Sequence, residues 1–146
     1  MTSVTTGKVI PNIANNAELA FMRSGKWKTI VNQGRNVYKR NDQFDPYMMS
    51  TRRVGRNGPM ITKRNVDWMK DGKPPHDKDE LAVVLHHITQ KHDGPLVELS
   101  TRSHRKFNDE LHDNKGVVGA PSSDINRSQF DKEREEWWIY RALEFP

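Results

Sequence analysis

The sequence contains no cysteine, and this absence sets the first limits on its chemistry. Without thiols the chain has neither a disulfide framework nor a thiolate zinc site. Any metal ion must therefore be bound by histidine, asparagine or carboxylate side chains. Disulfides are the usual sign of an oxidising compartment. Because this chain has no cysteine, redox chemistry does not indicate its compartment.

Long apolar runs are absent as well. No stretch approaches the roughly 18 residues that a membrane-spanning helix requires, and Met1–Pro11 lacks the charged-then-apolar order of a secretory signal. We therefore expect no membrane partner and no signal peptide in this chain.

Its 146 residues, 34% of them hydrophobic, predict a single domain over residues 1–146. Residues 1–16, rich in Thr and Asn, are expected to form a flexible lead-in.

Acidic residues are scarce in the first half of the chain. Between Arg23 and Lys73 there are 13 Lys and Arg residues against 4 Asp, a balance of +9, whereas the whole chain has a net charge of +5. Such a region is typical of proteins that bind phosphates, although a solvated basic surface has the same composition. Trp and Tyr residues are interleaved with these charges: Trp27, Tyr38, Tyr47 and Trp68. They either stack on bases or, as is more common, belong to the core.

The first half of the chain gives only brief secondary-structure signals. A short helix is predicted around Ala17–Met22, and Trp27 and Ile30 are expected to extend it. Further along we predict a strand at Asn36–Arg40, a loop at 55–59 and a helix at Asn65–Met69.

The segment from Leu81 onward has a clearer pattern. Leu81–Ile88 is rich in β-branched and aliphatic residues and predicts a strand, and Pro95–Leu99 predicts a second one, joined to the first by a looped hairpin. Ser100 or Thr101 is the expected N-cap of a helix over Arg102–Asp113. Strand, loop, strand and helix follow one another, which indicates the α+β class.

The end of the chain predicts another helix, at about residues 128–144. Ser128 and Asp131 have the spacing of a capping box. Phe130, Trp137 and Tyr140 recur at helical spacing and are expected to pack this helix on the core. Base stacking by the Trp137-Trp138 pair is the less favoured alternative.

Five of the six histidines fall in the strand, loop, strand and helix unit: His86, His87, His92, His104 and His112. Successive side chains of a strand point to opposite faces, so His86 and His87 are divided between two roles, one at a metal ion and one at the substrate. A single His-His pair is a weak signal, but its position before a hairpin and a His-bearing helix favours a metal site.

The helix of this unit offers further ligands. His104 and Asn108 are four residues apart and share a helix face, and His112 follows one turn later. Imidazole nitrogen and amide oxygen form a mixed donor set that is compatible with one divalent ion: magnesium, manganese, nickel or zinc.

The residue order in this unit resembles the LHH nucleases of the HNH/endonuclease VII superfamily, as found in bacterial polymorphic toxins. The matching residues are Leu85-His86-His87-Ile88, Gln90, Gly94-Pro95-Leu96, Leu99, His104 and Leu111-His112. Similar segments lie upstream at Asn36–Pro46 and Asn65–Pro75, and downstream at Ile125–Phe130 and Arg134–Ala142. Thr89, where members commonly carry Gly, and the insert Pro75–Asp79 depart from the pattern.

The resemblance implies a fold and a division of roles. The fold is α+β with a ββα-metal (His-Me finger) core at about 80–116, N-terminal irregular or helical segments and a C-terminal helix. By resemblance, His86 binds the ion and His87 is the general base. His104 and Asn108 complete the protein ligands, with His112 as the competing choice for one of them. A histidine base with an ordinary pKa near 6.5 is mostly neutral at pH 7, so we expect acid to inactivate the enzyme.

Basic residues are candidates for phosphate contacts in two places. Arg102, Arg105 and Lys106 surround the start of the predicted helix, and Arg52, Arg53 and Arg56 lie near the predicted loop. Each of these charges would otherwise be an ordinary solvated side chain.

The function implied is a metal-dependent endonuclease that cleaves DNA. Its expected context is a toxin domain, secreted or delivered into the cytoplasm of a target bacterium and held in check by an acidic immunity protein. Two alternatives remain at this point: an RNA-cleaving toxin, and a non-catalytic nucleic-acid-binding module with a structural metal site.

Overall fold

A computed structural model describes residues 4–5, 8–9, 16–88, 94–106 and 126–146. The elements in these residues are, in chain order, β1 (Val4–Thr5), β2 (Lys8–Val9), α1 (Asn16–Arg23), β3 (Lys28–Asn32), β4 (Arg35–Lys39), β5 (Met49–Arg53), β6 (Met60–Arg64), α2 (Asn65–Lys70), β7 (Val83–His87), β8 (Leu96–Ser100), α3 (Thr101–Lys106) and α4 (Arg127–Ala142). The chain is α+β, as the sequence predicts. None of the helices in the described part is long and apolar enough to cross a membrane.

The chain divides into two compact units. The first comprises Met1–Arg40 and Leu85–Asn126, and the second comprises Asn41–Val84 and Arg127–Pro146. The strand β7 contributes its last three residues to the first unit. The single nuclease domain predicted over residues 1–146 stays a prediction.

A four-stranded sheet forms the frame of the first unit, in the order β3-β4-β8-β7. β3 and β4 form an antiparallel hairpin whose two turn residues, Gln33 and Gly34, both have positive φ angles of 53° and 77°. Two such residues suit a tight hairpin turn between right-twisted strands. β4 then pairs with β8 in parallel, with Val37 opposite Leu96. The two strands predicted on either side of the hairpin loop are thus neighbours in the sheet.

One expectation for this unit is wrong. Trp27 and Ile30 were predicted to extend the first helix, but α1 ends at Arg23. Trp27 lies beyond the helix, and Ile30 lies in β3, opposite Val37. Gly25 follows the helix with a φ of 71°, a left-handed conformation that interrupts it. Pairing with a neighbouring strand then overrides the apolar spacing that favoured a longer helix.

The core of the first unit joins α1 to the sheet. Phe21 of α1 packs edge to face on Trp27, with 5.0 Å between the ring centroids, and both rings are buried. The other core residues are Tyr38, Ile88, Val97 and Leu99. Beside them the Glu18 carboxylate, 1% exposed, accepts hydrogen bonds of 2.8 Å from both Asn36 Nδ2 and the Tyr38 hydroxyl. Burial and the adjacent carboxylate raise the pKa of Tyr38 well above its ordinary range.

The second unit combines the β5–β6 hairpin with α2 and α4. The buried residues of α4 are Phe130, Trp137, Trp138, Arg141 and Ala142. Both tryptophans therefore belong to the core, as favoured above, but Tyr140 is 42% exposed and its predicted core role is wrong. α4 also begins at Arg127, so Ser128 lies inside the first turn rather than at the cap. The buried face of α4 includes Arg141 instead of Tyr140. Arg141 can be buried because its guanidinium is paired with Glu144 and lies 5.6 Å from the centroids of the Phe44 and Phe145 rings.

Close packing of α2 against α4 requires a glycine at position 72. Gly72 has a φ of 81°, and a Cβ atom there would lie 3.0 Å from Cβ of Glu135. The residue thus ends α2 in a left-handed conformation and leaves room for α4.

A closed loop leads into β7. It contains the Pro75–Asp79 insert, and the amide of Val83 donates to Pro75 O at 2.9 Å while the amide of Asp77 donates to Leu81 O at 2.8 Å. Buried Asn65 holds this loop from α2: its Nδ2 donates to His76 O, and its Oδ1 accepts from the His76 amide. The insert therefore has an ordered structure that fixes the start of β7.

His76 makes the stability of the second unit depend on pH. Burial, and next the charge of Arg52, lower the pKa of His76 below its ordinary value of 6.5, and the weaker effects of Glu80 and Asp77 oppose the shift. The unfolded chain therefore takes up a proton near pH 6.5 that the folded chain resists, so stability is fully present above that pH and is lost as pH falls below it. We expect the thermal midpoint of the native chain to fall more between pH 7.5 and 5 than that of His76→Gln. Parallel curves for the two proteins would contradict this assignment.

Candidate active site

β7 ends in two histidines whose side chains lie on opposite faces of the strand. Val83, Leu85 and His87 are buried, whereas Val84 and His86 are half-buried, so burial alternates along the strand. His87 is 3% exposed. The predicted separation of the two imidazoles is confirmed.

The environment of both imidazoles is compatible with a metal ligand or a base. The Nε2 atoms are buried and form no hydrogen bond of their own to the described residues. Both histidine residues nevertheless have other interaction partners in the structure. Imidazole nitrogen is a common ligand of divalent ions, so the donor chemistry fits the metal that the sequence predicts.

The next two elements follow in the predicted order. β8 leads directly into α3, which contacts it. Ser100 Oγ accepts a hydrogen bond of 3.1 Å from the Ser103 amide. A serine hydroxyl that accepts from the third amide of a helix is an N-cap, so Ser100 rather than Thr101 has this role.

The helical ligands are only partly placed. The backbone of His104 lies in α3, but its side chain is outside the described residues, as are Asn108 and His112. Within the described part of the chain, no group of three or more His, Asp or Glu side chains could hold a metal ion. The metal ligands thus stay a prediction that rests on His86 and on the helix that carries His104.

A buried carboxylate in β8 was not anticipated from the sequence. Glu98 is 0% exposed, and its Oε1 accepts from the Arg40 amide at 3.3 Å. Its backbone oxygen accepts from the Trp27 indole at 3.1 Å. The signal was present in the sequence as a lone acidic residue in an apolar strand, which is costly unless hydrogen bonds compensate for burial.

The predicted phosphate contacts differ in their accessibility. Arg102 is exposed near the start of α3, and the side chains of Arg105 and Lys106 lie outside the described residues. Arg53 and Arg56 are exposed. Arg52, in contrast, is half-buried and packed within the second unit.

The contacts of Arg52 give it a structural role. Its guanidinium donates to Ser50 Oγ at 3.0 Å, to Pro74 O at 2.7 Å and to Asn65 Oδ1 at 3.3 Å, and it lies 4.8 Å from the centroid of the Trp68 ring. Burial lowers the pKa of Arg52 to about 10. A guanidinium that is held on three sides has little capacity left for a phosphate.

The chain matches a known protein family. A family model described as "A nuclease of the HNH/ENDO VII superfamily with conserved LHH" matches residues 64–144, which is more than half of the chain. The matched residues contain β7 with its two histidines, β8, α3 and α4. No solved structure matches the chain.

Proposed function

The chain belongs to the LHH nucleases of the HNH/ENDO VII superfamily, and from this premise we propose that it is a metal-dependent endonuclease that cleaves DNA. The observation that carries the proposal is the pair of imidazoles at the end of β7. They lie on opposite faces of one strand, so a metal ligand and a base can be adjacent in sequence without competing for the same position.

His86 is proposed to bind the ion, together with His104 and Asn108, with His112 as the alternative to Asn108. When bound, the ion would offset negative charge on the scissile phosphate and on the leaving 3′ oxygen. His87 accepts a proton from the attacking water, for which a neutral imidazole is suited. His87 is 3% exposed, and this burial restricts its imidazole to few orientations.

Basic side chains are proposed to hold the substrate. Arg102, Arg105 and Lys106 follow β8 in the first helical turns, next in sequence to the proposed site, where they could contact phosphates that flank the cleaved bond. Arg53 and Arg56 are proposed as contacts from the second unit. Because Arg52 makes several contacts within its own unit, we assign it to the support of this unit rather than to DNA.

Cleavage of supercoiled plasmid tests the catalytic proposal. We expect nicking with at least one of magnesium, manganese, nickel or zinc, its loss in excess chelator and its return when the ion is restored. Absence of nicking with every ion would contradict the proposal. A gel shift without cleavage would instead favour the binding module, and faster cleavage of RNA in the same assay would favour an RNA-cleaving enzyme.

The proposed biological role is that of a toxin domain acting in the cytoplasm of a target bacterium. The basic character of the chain, with a net charge of +5, supports an acidic immunity protein as its partner. Induced expression in bacteria should stop growth, and co-expression of an acidic protein encoded next to the gene should restore it. If the purified protein cleaves DNA in vitro but bacteria that express it grow normally, the toxin role would be contradicted.

A further inference from the structure

The hairpin of β5 and β6 carries a surface of which the proposed function uses only Arg53 and Arg56. We call residues 49–64 the ribbon. Its strands pair antiparallel, with Thr51 opposite Thr62 and Arg53 opposite Met60. Directly paired residues share a face, and successive residues of a strand point to opposite faces. The ribbon therefore has an inner face and an outer face of different composition.

The inner face is fixed on α2 through one tryptophan. The Trp68 indole donates to Ser50 O at 2.9 Å. Arg52 Cζ and Lys63 Nζ lie 4.8 Å and 4.3 Å from the centroid of its ring. These contacts use the inner-face cations and fix the orientation of the ribbon on α2.

The outer face remains at the surface of its unit. It consists of Met49, Thr51, Arg53, Met60, Thr62 and Arg64. The two methionines are 54% and 55% exposed, and the hydroxyls of the paired threonines lie 2.7 Å apart. Small hydroxyl groups, flanked by apolar side chains, thus form a narrow exposed strip along the ribbon.

The charge of the ribbon has one sign. Residues 49–64 contain five Lys or Arg and no Asp or Glu. Arg52 is held internally, Lys63 pairs with Asp71, and Arg64 pairs with Asp67 at 2.9 Å. Arg53 donates to Gly58 O at 2.9 Å, which holds it beside the loop where Arg56 is exposed. Neither of these two forms an ion pair with a described residue. The tip of the ribbon therefore presents two cations that no described acidic side chain pairs with.

We propose that the outer face of the ribbon binds double-stranded DNA by lying in its major groove. The groove of B-form DNA admits a two-stranded ribbon, threonine and apolar side chains suit base edges, and cations at the tip suit phosphates. The deep, narrow major groove of A-form RNA does not admit such an element. The inference rests on the proposed function for its substrate, but residues 49–63 lie outside the family match, so the ribbon is an accessory to the shared nuclease core.

Fluorescence anisotropy with a duplex of about 20 base pairs tests the proposal, with chelator present to prevent cleavage. We expect Arg53→Gln/Arg56→Gln to bind about 50-fold more weakly at roughly 0.1 M salt and to reduce the slope of log K against log salt by about 2, because each phosphate contact contributes about 0.9. Arg127→Gln/Lys132→Gln is the matched control. It removes the same charge from exposed positions on α4 and should keep the native slope.

A second variant tests whether the outer face enters the major groove, rather than whether the cations at the tip attract DNA. Thr62→Glu adds a negative charge at the centre of the outer face, at an exposed position, and is expected to weaken duplex binding at least tenfold while the thermal midpoint stays native. Native binding by Thr62→Glu would overturn the groove geometry. Equal losses in the two double variants would overturn the assignment to the ribbon.

Other ligands separate this proposal from its competitors and from the proposed function. Duplex RNA that binds as tightly as duplex DNA, or polyglutamate that binds more tightly, would overturn the choice of partner. Duplex binding that depends on Arg53 and Arg56 in a protein that nicks no plasmid would support the ribbon and contradict the nuclease proposal. If the protein nicks plasmid but Arg53→Gln/Arg56→Gln binds the duplex with native affinity, the nuclease proposal would be supported and the ribbon proposal contradicted.

Discussion

His87→Ala is expected to lower the rate of plasmid nicking by about 10²- to 10⁴-fold, the range in which a positioned general base contributes to catalysis. The side chain sits at the end of β7 with a buried Nε2 atom, next in sequence to the proposed metal ligand. Removing it takes away the proton acceptor while leaving His86, on the opposite face, in place. Nicking should be measured with saturating metal and enzyme in excess of DNA, so that the rate reports chemistry rather than binding.

A structural role for His87 makes different predictions. Because the residue is 3% exposed, its loss leaves a cavity and destabilises the fold to some extent. Added imidazole should restore part of the nicking if the missing group is a base. His76→Gln, which removes a histidine of the second unit, should nick at nearly the native rate. A His87→Ala protein that is folded and nicks at the native rate would contradict the proposed role.

Local sequence patterns were sufficient to predict the elements that carry the candidate site. Aliphatic and β-branched residues predicted β7 and β8, and the hydroxyl residues Ser100 and Thr101 predicted the start of α3. The opposite orientation of His86 and His87 followed from the two-residue period of a strand. Each of these predictions depends on residues close together in the chain.

Predictions failed where distant residues decide the structure. Ile30 joins a strand because β4 pairs with it, and no pattern within β3 records that pairing. The ribbon was missed because Met49–Arg53 has no alternation of apolar and polar residues, and its inner face depends on Trp68 in a later helix. In α4 the buried face turned from Tyr140 toward Trp138 and Arg141, since an arginine can be buried once Glu144 and two aromatic rings surround it.

The fold of β7 does not determine which residues bind the metal ion. Single substitutions should identify them. We expect His86→Ala and His104→Ala to weaken metal binding by at least the roughly 10- to 100-fold that loss of even an outer-shell partner costs. Of Asn108→Ala and His112→Ala, only one should do the same. The helical spacing favours Asn108, which lies one turn from His104, over His112, which lies two turns away.

Thermal stability measures this binding without any need for activity. An ion at 100 times its Kd stabilises the folded chain by about 2.7 kcal/mol, and a 100-fold loss of affinity reduces that gain to about 0.4 kcal/mol. The increase in thermal midpoint on adding metal should therefore nearly vanish in His86→Ala but persist in His87→Ala. The opposite result would exchange the roles of the two histidines, making His87 the ligand and His86 the base. That exchange would still agree with their orientation, because a strand divides neighbouring side chains between its faces without fixing which face holds the ion.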